Sequence, residues 1–284
     1  MTIGRREVLK AGLAAAAAAA LGEQLAGCSP ARHPVASTTE VTSAAASSET
    51  AHRAQATTES AAPAETSQPP PSKPAVSPTH APDAPAIEIV RGPSTGNGVA
   101  LTFHGAGDPK LAEQLLAEVE SAGGRVTVLA VGTWLEQQPQ LAARILDHGH
   151  DLGNHTYRHL TMPRLAEPID ESEITRCADV LRKLTGSPGR WFRPSGTQHA
   201  NQAILQAAGR AGYANTLSYD VDPADYTDPG ASAVVARVLA AVRPGSIVSL
   251  HLGHAGTVQA MPRILDGLKS KGLSAVSMTT LMTL

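Results

Sequence analysis

From residue 98 to residue 284, short apolar runs alternate with stretches whose apolar residues recur at helical spacing, and this alternation limits the folds open to the chain. Val99-Ala100-Leu101-Thr102-Phe103 reads as a buried strand ending in the loop His104-Gly105-Ala106-Gly107-Asp108. Residues 111–122 follow as an amphipathic helix stopped by Gly123-Gly124, and 125–131 as a second buried strand. The same reading predicts helices over 141–146, 171–184, 201–211, 231–242 and 258–271, and strands over 190–193, 216–221, 246–250 and 275–278. Repeated βα units of this length imply an α/β fold with a parallel sheet, open or closed into a barrel. In either form the C-terminal ends of the strands gather the functional site.

The polar residues that follow predicted strands are the first functional signal. His104 follows Phe103, Arg193 follows Phe192, Asp222 and Asp225 follow Val221, and His251 follows Leu250. A second signal lies in Gly153-Asn154-His155-Thr156-Tyr157-Arg158-His159-Leu160, where one helical turn would bring His155 and His159 to the same side. Two converging neutral imidazoles are two of the three protein ligands that a catalytic zinc site usually takes. A formal net charge of −2 and 3% aromatic residues argue against a nucleic-acid binder, which would show a basic face and stacking platforms.

Residues 1–28 read as an address. Arg5-Arg6 precedes an alanine-rich apolar run, 11–21, and the pair resembles a twin-arginine export signal. The run is too short and too weakly apolar for a transmembrane helix. Leu25-Ala26-Gly27-Cys28 resembles a bacterial lipobox, which would make Cys28 the acylated N-terminus of a protein anchored to the cell membrane and facing the envelope. Residues 29–85, rich in Ala, Ser, Thr and Pro, bury too little to offset their ordering entropy and are expected to form a disordered tether. The catalytic domain is then 86–284. With Cys28 lipidated only Cys177 remains, so no disulfide forms within the chain, and the helical pattern around Cys177 makes it a core thiol.

In their order, these signals resemble the polysaccharide deacetylase family, carbohydrate esterases with the NodB homology domain, over nearly all of 98–284. His155-Thr156-Tyr157-Arg158-His159 matches that family's metal-binding motif, and Phe192-Arg193-Pro194-Ser195-Gly196 resembles its third motif. Asp222-Pro223-Ala224-Asp225-Tyr226 resembles the fourth, and Ile247-Val248-Ser249-Leu250-His251 the fifth. The resemblance implies a distorted (β/α) barrel with a divalent metal on His155 and His159. It also implies that Arg193 sits against the catalytic base and that Asp225 orients His251, the general acid.

The first motif departs from the family's Thr-Phe-Asp-Asp-Gly, in which the first aspartate is the base and the second a ligand: here Thr102-Phe103 is followed by His104-Gly105. Two repairs are open. In the preferred one the glycines of Gly105-Ala106-Gly107 fold the loop back so that Asp108 becomes the third ligand and His104 the base. In the other His104 is the third ligand and Asp108 the base. The implied activity is removal of acetyl groups from N-acetylated (or O-acetylated) envelope polysaccharide such as peptidoglycan. Zinc suits the ligands, and cobalt or nickel binds similar groups. The alternative is a non-catalytic glycan- or metal-binding lipoprotein on the same scaffold. Asp222 is expected to support its loop; Trp134, Trp191 and Tyr226 could line a sugar groove, with buried packing the default expectation, and His254 is given no role.

Overall fold

The computed structural model describes residues 84–284. The expected export signal and lipid site at 1–28, and the expected tether through residue 83, lie outside the described residues. Seven strands occur among the described residues: β1 (Ile87–Ile89), β2 (Gly98–Gly105), β3 (Thr127–Ala130), β4 (Asp151–Asn154), β5 (Asn215–Leu217), β6 (Ile247–His251) and β7 (Ser274–Val276). Every pairing between them is parallel. The order β4–β3–β2–β6 forms one face, with β7 also on β2, while β1 pairs with β5. Single bridges carry the pairing on from Asn154 to Phe192 and from Phe192 to Thr216, and Val221 bridges Val248. The ring therefore closes as a distorted barrel, in agreement with the sequence.

The helices α1 (Pro109–Ser121), α2 (Gly132–Gln137), α3 (Gln140–Asp147), α4 (Glu167–Thr185), α5 (Gln202–Arg210), α6 (Ala231–Ala241) and α7 (Ala255–Ser270) lie between the strands, and α8 (Met278–Leu281) follows β7. The strand predicted over 190–193 shrinks to the bridge at Phe192, because Pro188 and Pro194 flank it and a proline cannot donate to a ladder. The main core is shared by β2 and the helices against it, with Leu101, Phe103, Leu115, Leu116 and Ile264 all fully buried. Cys177 lies in that core, and burial pushes its thiol up to about 12, which leaves it inert at neutral pH.

Strand β2 is the axis of the site. It is buried at every position but His104, the one residue whose side chain opens towards solvent. Its register sets His104 beside His251 of β6, so two imidazoles meet at adjacent strand ends.

Candidate active site

His104 contacts three groups. Its Nδ1 lies 2.8 Å from His155 Nε2, its Nε2 3.0 Å from Ser249 Oγ, and Arg193 Nη1 approaches that Nε2 to 3.4 Å. His155 is buried and its Nδ1 donates to the Arg193 carbonyl at 2.9 Å, which fixes the tautomer and turns Nε2 towards the cluster. The His159 ring lies 4.8 Å from that of His155. One ligand atom from each of His104, His155 and His159 falls within 4.8 Å of the other two.

The expected helical turn between His155 and His159 is absent; both belong to a loop that leaves β4. Left-handed φ values at Thr156 (67°) and His159 (58°) curl the segment instead. Its fasteners are many. Thr156 N donates to Asn154 Oδ1 at 2.8 Å, Thr156 Oγ1 meets Ser195 Oγ at 3.0 Å, and Tyr157 Oη donates to Glu136 at 2.9 Å. Arg158 gives both its backbone N–H and its Nε to the buried Glu173 carboxylate, each at 2.7 Å.

The donor set suits a divalent metal such as zinc. Burial first, then the charges of His155, Arg193 and the other histidines, pushes His104 well below the usual imidazole range. Burial and His159 do the same to His155, and desolvation against the cluster, with His251, lowers His159. All three are therefore neutral at neutral pH, the state in which imidazole binds a metal. His104 can present Nδ1 as a ligand when its proton sits on Nε2 and is given to Ser249 Oγ.

Beside this cluster stands an acid–base pair. His251 Nδ1 lies 2.8 Å from Asp225 Oδ1, and the other carboxylate oxygen accepts from His251 N at 2.9 Å and Thr257 Oγ1 at 2.6 Å. With Asp225 buried and so held, His251 has one orientation and its Nε2 remains open. Its ring stacks on His104 at 4.3 Å. Arg193 is completely buried, donating to the Leu217 and Ser218 carbonyls and to Thr102 Oγ1. Burial draws it down to about 10, still cationic at neutral pH.

The structure brings His104, His155, His159, Arg193, Asp225 and His251 together, and it does not bring Asp108. That carboxylate, expected as the third ligand, is exposed and caps α1, its Oδ1 accepting Lys110 N at 2.9 Å. The cause is local: Pro109 opens the helix at once, so the residue before it becomes the N-cap and the glycine loop never folds back. Asp222 is exposed and braces its own loop by accepting Ala224 N at 2.7 Å, as expected. Trp134 and Trp191 are buried, but Tyr226 is 52% exposed with its ring 5.4 Å from His251, contrary to the packing expected of it. Ser249 and Asn154 were missed as site residues. Ser249 stood in a strand motif, where its alternation with Val248 and Leu250 was the available signal.

Comparison with known proteins agrees with this geometry. A family model described as polysaccharide deacetylase matches residues 91–216. A peptidoglycan-N-acetylglucosamine deacetylase of Bacillus cereus is 31% identical over 194 residues, which span 67% of this chain and 90% of that protein. A crystal structure of a peptidoglycan N-acetylglucosamine deacetylase bound to an N-hydroxy benzamide superposes with a TM-score of 0.65 at 26% identity, over 70% of this chain and 94% of that one. A mutant, with restored enzymatic activity, of a family 4 carbohydrate esterase pseudoenzyme gives the same TM-score of 0.65 and identity of 26%, over 70% and 72% of the two chains.

Proposed function

The chain belongs to the polysaccharide deacetylase family, and from that premise we propose that it is a metal-dependent hydrolase removing acetyl groups from N-acetylated envelope polysaccharide, with peptidoglycan as the substrate. The observation that carries the reading is the set of three imidazole nitrogens within 4.8 Å of one another, beside a histidine held by a buried aspartate. Peptidoglycan is the substrate in the name of the Bacillus cereus relative, and it fits the export signal and lipobox read from residues 1–28.

His104, His155 and His159 would hold the metal, zinc being the best match to three imidazoles. When bound, the metal supplies Lewis acidity to water and to the acetyl carbonyl. His251 takes a proton from the attacking water and passes it to the nitrogen of the sugar, so that the C–N bond breaks with the amine neutral and acetic acid as the other product, which loses its remaining proton to solvent as acetate. Asp225 keeps the His251 proton on Nδ1 and stabilises the imidazolium between those two transfers. Arg193 adds a fixed positive charge behind His104, favouring the neutral imidazole. The lipid on Cys28 and the tether over 29–85 would let the domain work on the wall from the membrane surface.

The test is acetate release by the zinc-loaded protein on peptidoglycan and on acetylated chito-oligomers, beside a His155→Ala control. Release by the wild type alone supports the reading. Metal bound without release on any acetylated glycan overturns it in favour of a binding protein, the alternative that the altered first motif would suit.

A further inference from the structure

His251, the last residue of β6, and His254, in the loop after it, stand three residues apart, as do Asp225 and Asp228. Asp225–Thr227 is a single 3-10 turn, and in such a turn positions three apart eclipse one another. The flanking residues Ala224 and Asp228 hold left-handed φ values of 52° and 50°, a conformation that residues with a Cβ adopt at a cost. The outcome is two parallel histidine–aspartate pairs. His254 Nδ1 lies 2.9 Å from Asp228 Oδ1, as His251 Nδ1 lies 2.8 Å from Asp225. The two rings are 5.7 Å apart at 78°, and with His104 both line a cavity of about 260 Å³.

Two glycines bring the second pair to this cavity. A Cβ on Gly107 would stand 2.5 Å from the Gly253 Cα, so the loop carrying His254 crosses the loop after β2 backbone to backbone. The acid–base step uses His251 and has no need of His254. An exposed pair of this kind contributes little to stability. What Asp228 does control is the tautomer. When the His254 ring is neutral, Asp228 accepts from Nδ1 and Nε2 is the acceptor. The cavity is smaller than the ~300–1,000 Å³ that houses a drug-sized ligand, so it has room for one sugar unit with its neighbours outside.

We propose that His254, oriented by Asp228, is a substrate-positioning residue that accepts a hydrogen bond from a hydroxyl of the acetylated glycan at the mouth of this cavity. The ligand class rests on the deacetylase reading above. The test is calorimetric titration of the zinc-loaded protein with tetra-N-acetylchitotetraose, alongside kinetics of acetate release from the same oligomer. His254→Ala and Asp228→Ala each weaken binding about threefold to tenfold, the value of one hydrogen bond. The loss falls on KM more than on kcat. The double variant is no worse than His254→Ala, and His254→Gln, which keeps an acceptor, recovers part of the loss. Unchanged affinity in His254→Ala, additive losses in the double variant, or a loss confined to kcat would overturn the proposal. A wild type that does not bind the oligomer overturns it too. Histidine-dependent binding without acetate release supports the positioning role and sinks only the deacetylase reading.

Discussion

The third ligand is decided by single residues. His104 stands on the C-terminal end of β2 with its Nδ1 against His155, whereas Asp108 spends its carboxylate on Lys110 N. Metal titration should therefore show His104→Ala losing the metal under conditions that saturate the wild type, and Asp108→Ala keeping it. Asp108→Ala should instead cost about 1 kcal/mol of stability, as the loss of an N-cap does. Ser249→Ala removes the acceptor that sets the His104 tautomer, and should weaken metal binding about tenfold with the other ligands in place. Asp225→Asn should leave metal content unaltered and lower kcat by about two to four orders of magnitude, since the imidazole loses both its orientation and its counter-charge. Most of these positions were legible before any fold was known, because His155, His159, Arg193, Asp225 and His251 all follow strand ends or sit at ligand spacing. The choice between His104 and Asp108 was harder. It depends on where the chain turns after Gly107, and the reading from residue 111 passed over the Asp108-Pro109 pair that marks the helix start.

At the scale of elements, the site depends on how a loop is fastened. The stretch after β4 has no internal helix to shape it, so its form comes from α4, where the Glu173 carboxylate takes two hydrogen bonds from Arg158. Glu173→Ala should leave the Arg158 N–H unpaired and cost about 1–3 kcal/mol in urea denaturation, with weakened metal binding as His159 loosens. Elements with a strong pattern were legible: β2 and β6 announce themselves by short apolar runs and most of the helices by apolar residues at spacing of about three and a half. β4 did not, since Asp151-Leu152-Gly153-Asn154 shows no apolar run. It is a strand because its neighbours make it one, with β3 beside it and Trp191 pressed on Gly153, where a Cβ would lie 2.5 Å from the Trp191 carbonyl oxygen. Likewise α2 was invisible, being six residues long and lacking a side-chain cap. The 3-10 turn that presents Asp225 and Asp228 is too short to leave any period at all.

Across the whole molecule, a net charge of −2 generates little self-repulsion, so the response to acid falls on particular buried groups. The one that couples α1 to α3 and to the start of β4 is Glu120. It receives Arg144 Nη1 at 2.6 Å and Nη2 at 2.8 Å, and it meets His150 Nε2 at 2.9 Å and His148 Nδ1 at 3.2 Å. Burial alone would raise the Glu120 carboxyl, but the hydrogen bonds from Arg144 and His150 outweigh it and hold the group at about 2. His150 is fixed as a neutral donor, because its Nδ1 already accepts Val126 N at 3.1 Å and a second proton there would break that bond. Burial lowers it below the ordinary imidazole value despite Glu120 beside it. Both groups bind protons more readily in the unfolded chain, so both contributions decline as pH falls. The His150 contribution is complete above 6.5 and shrinks below it, and that of Glu120 is complete above 4.5 and is lost as pH approaches about 2. Denaturant midpoints measured from pH 7 to pH 3 should thus fall in two overlapping stages. Glu120→Gln should lower stability at pH 7 by on the order of 2 kcal/mol, allowing for the solvent that reaches the carboxylate, and should flatten the lower stage. A variant whose profile keeps that lower stage would mean that some other carboxylate sets the acid limit of the fold.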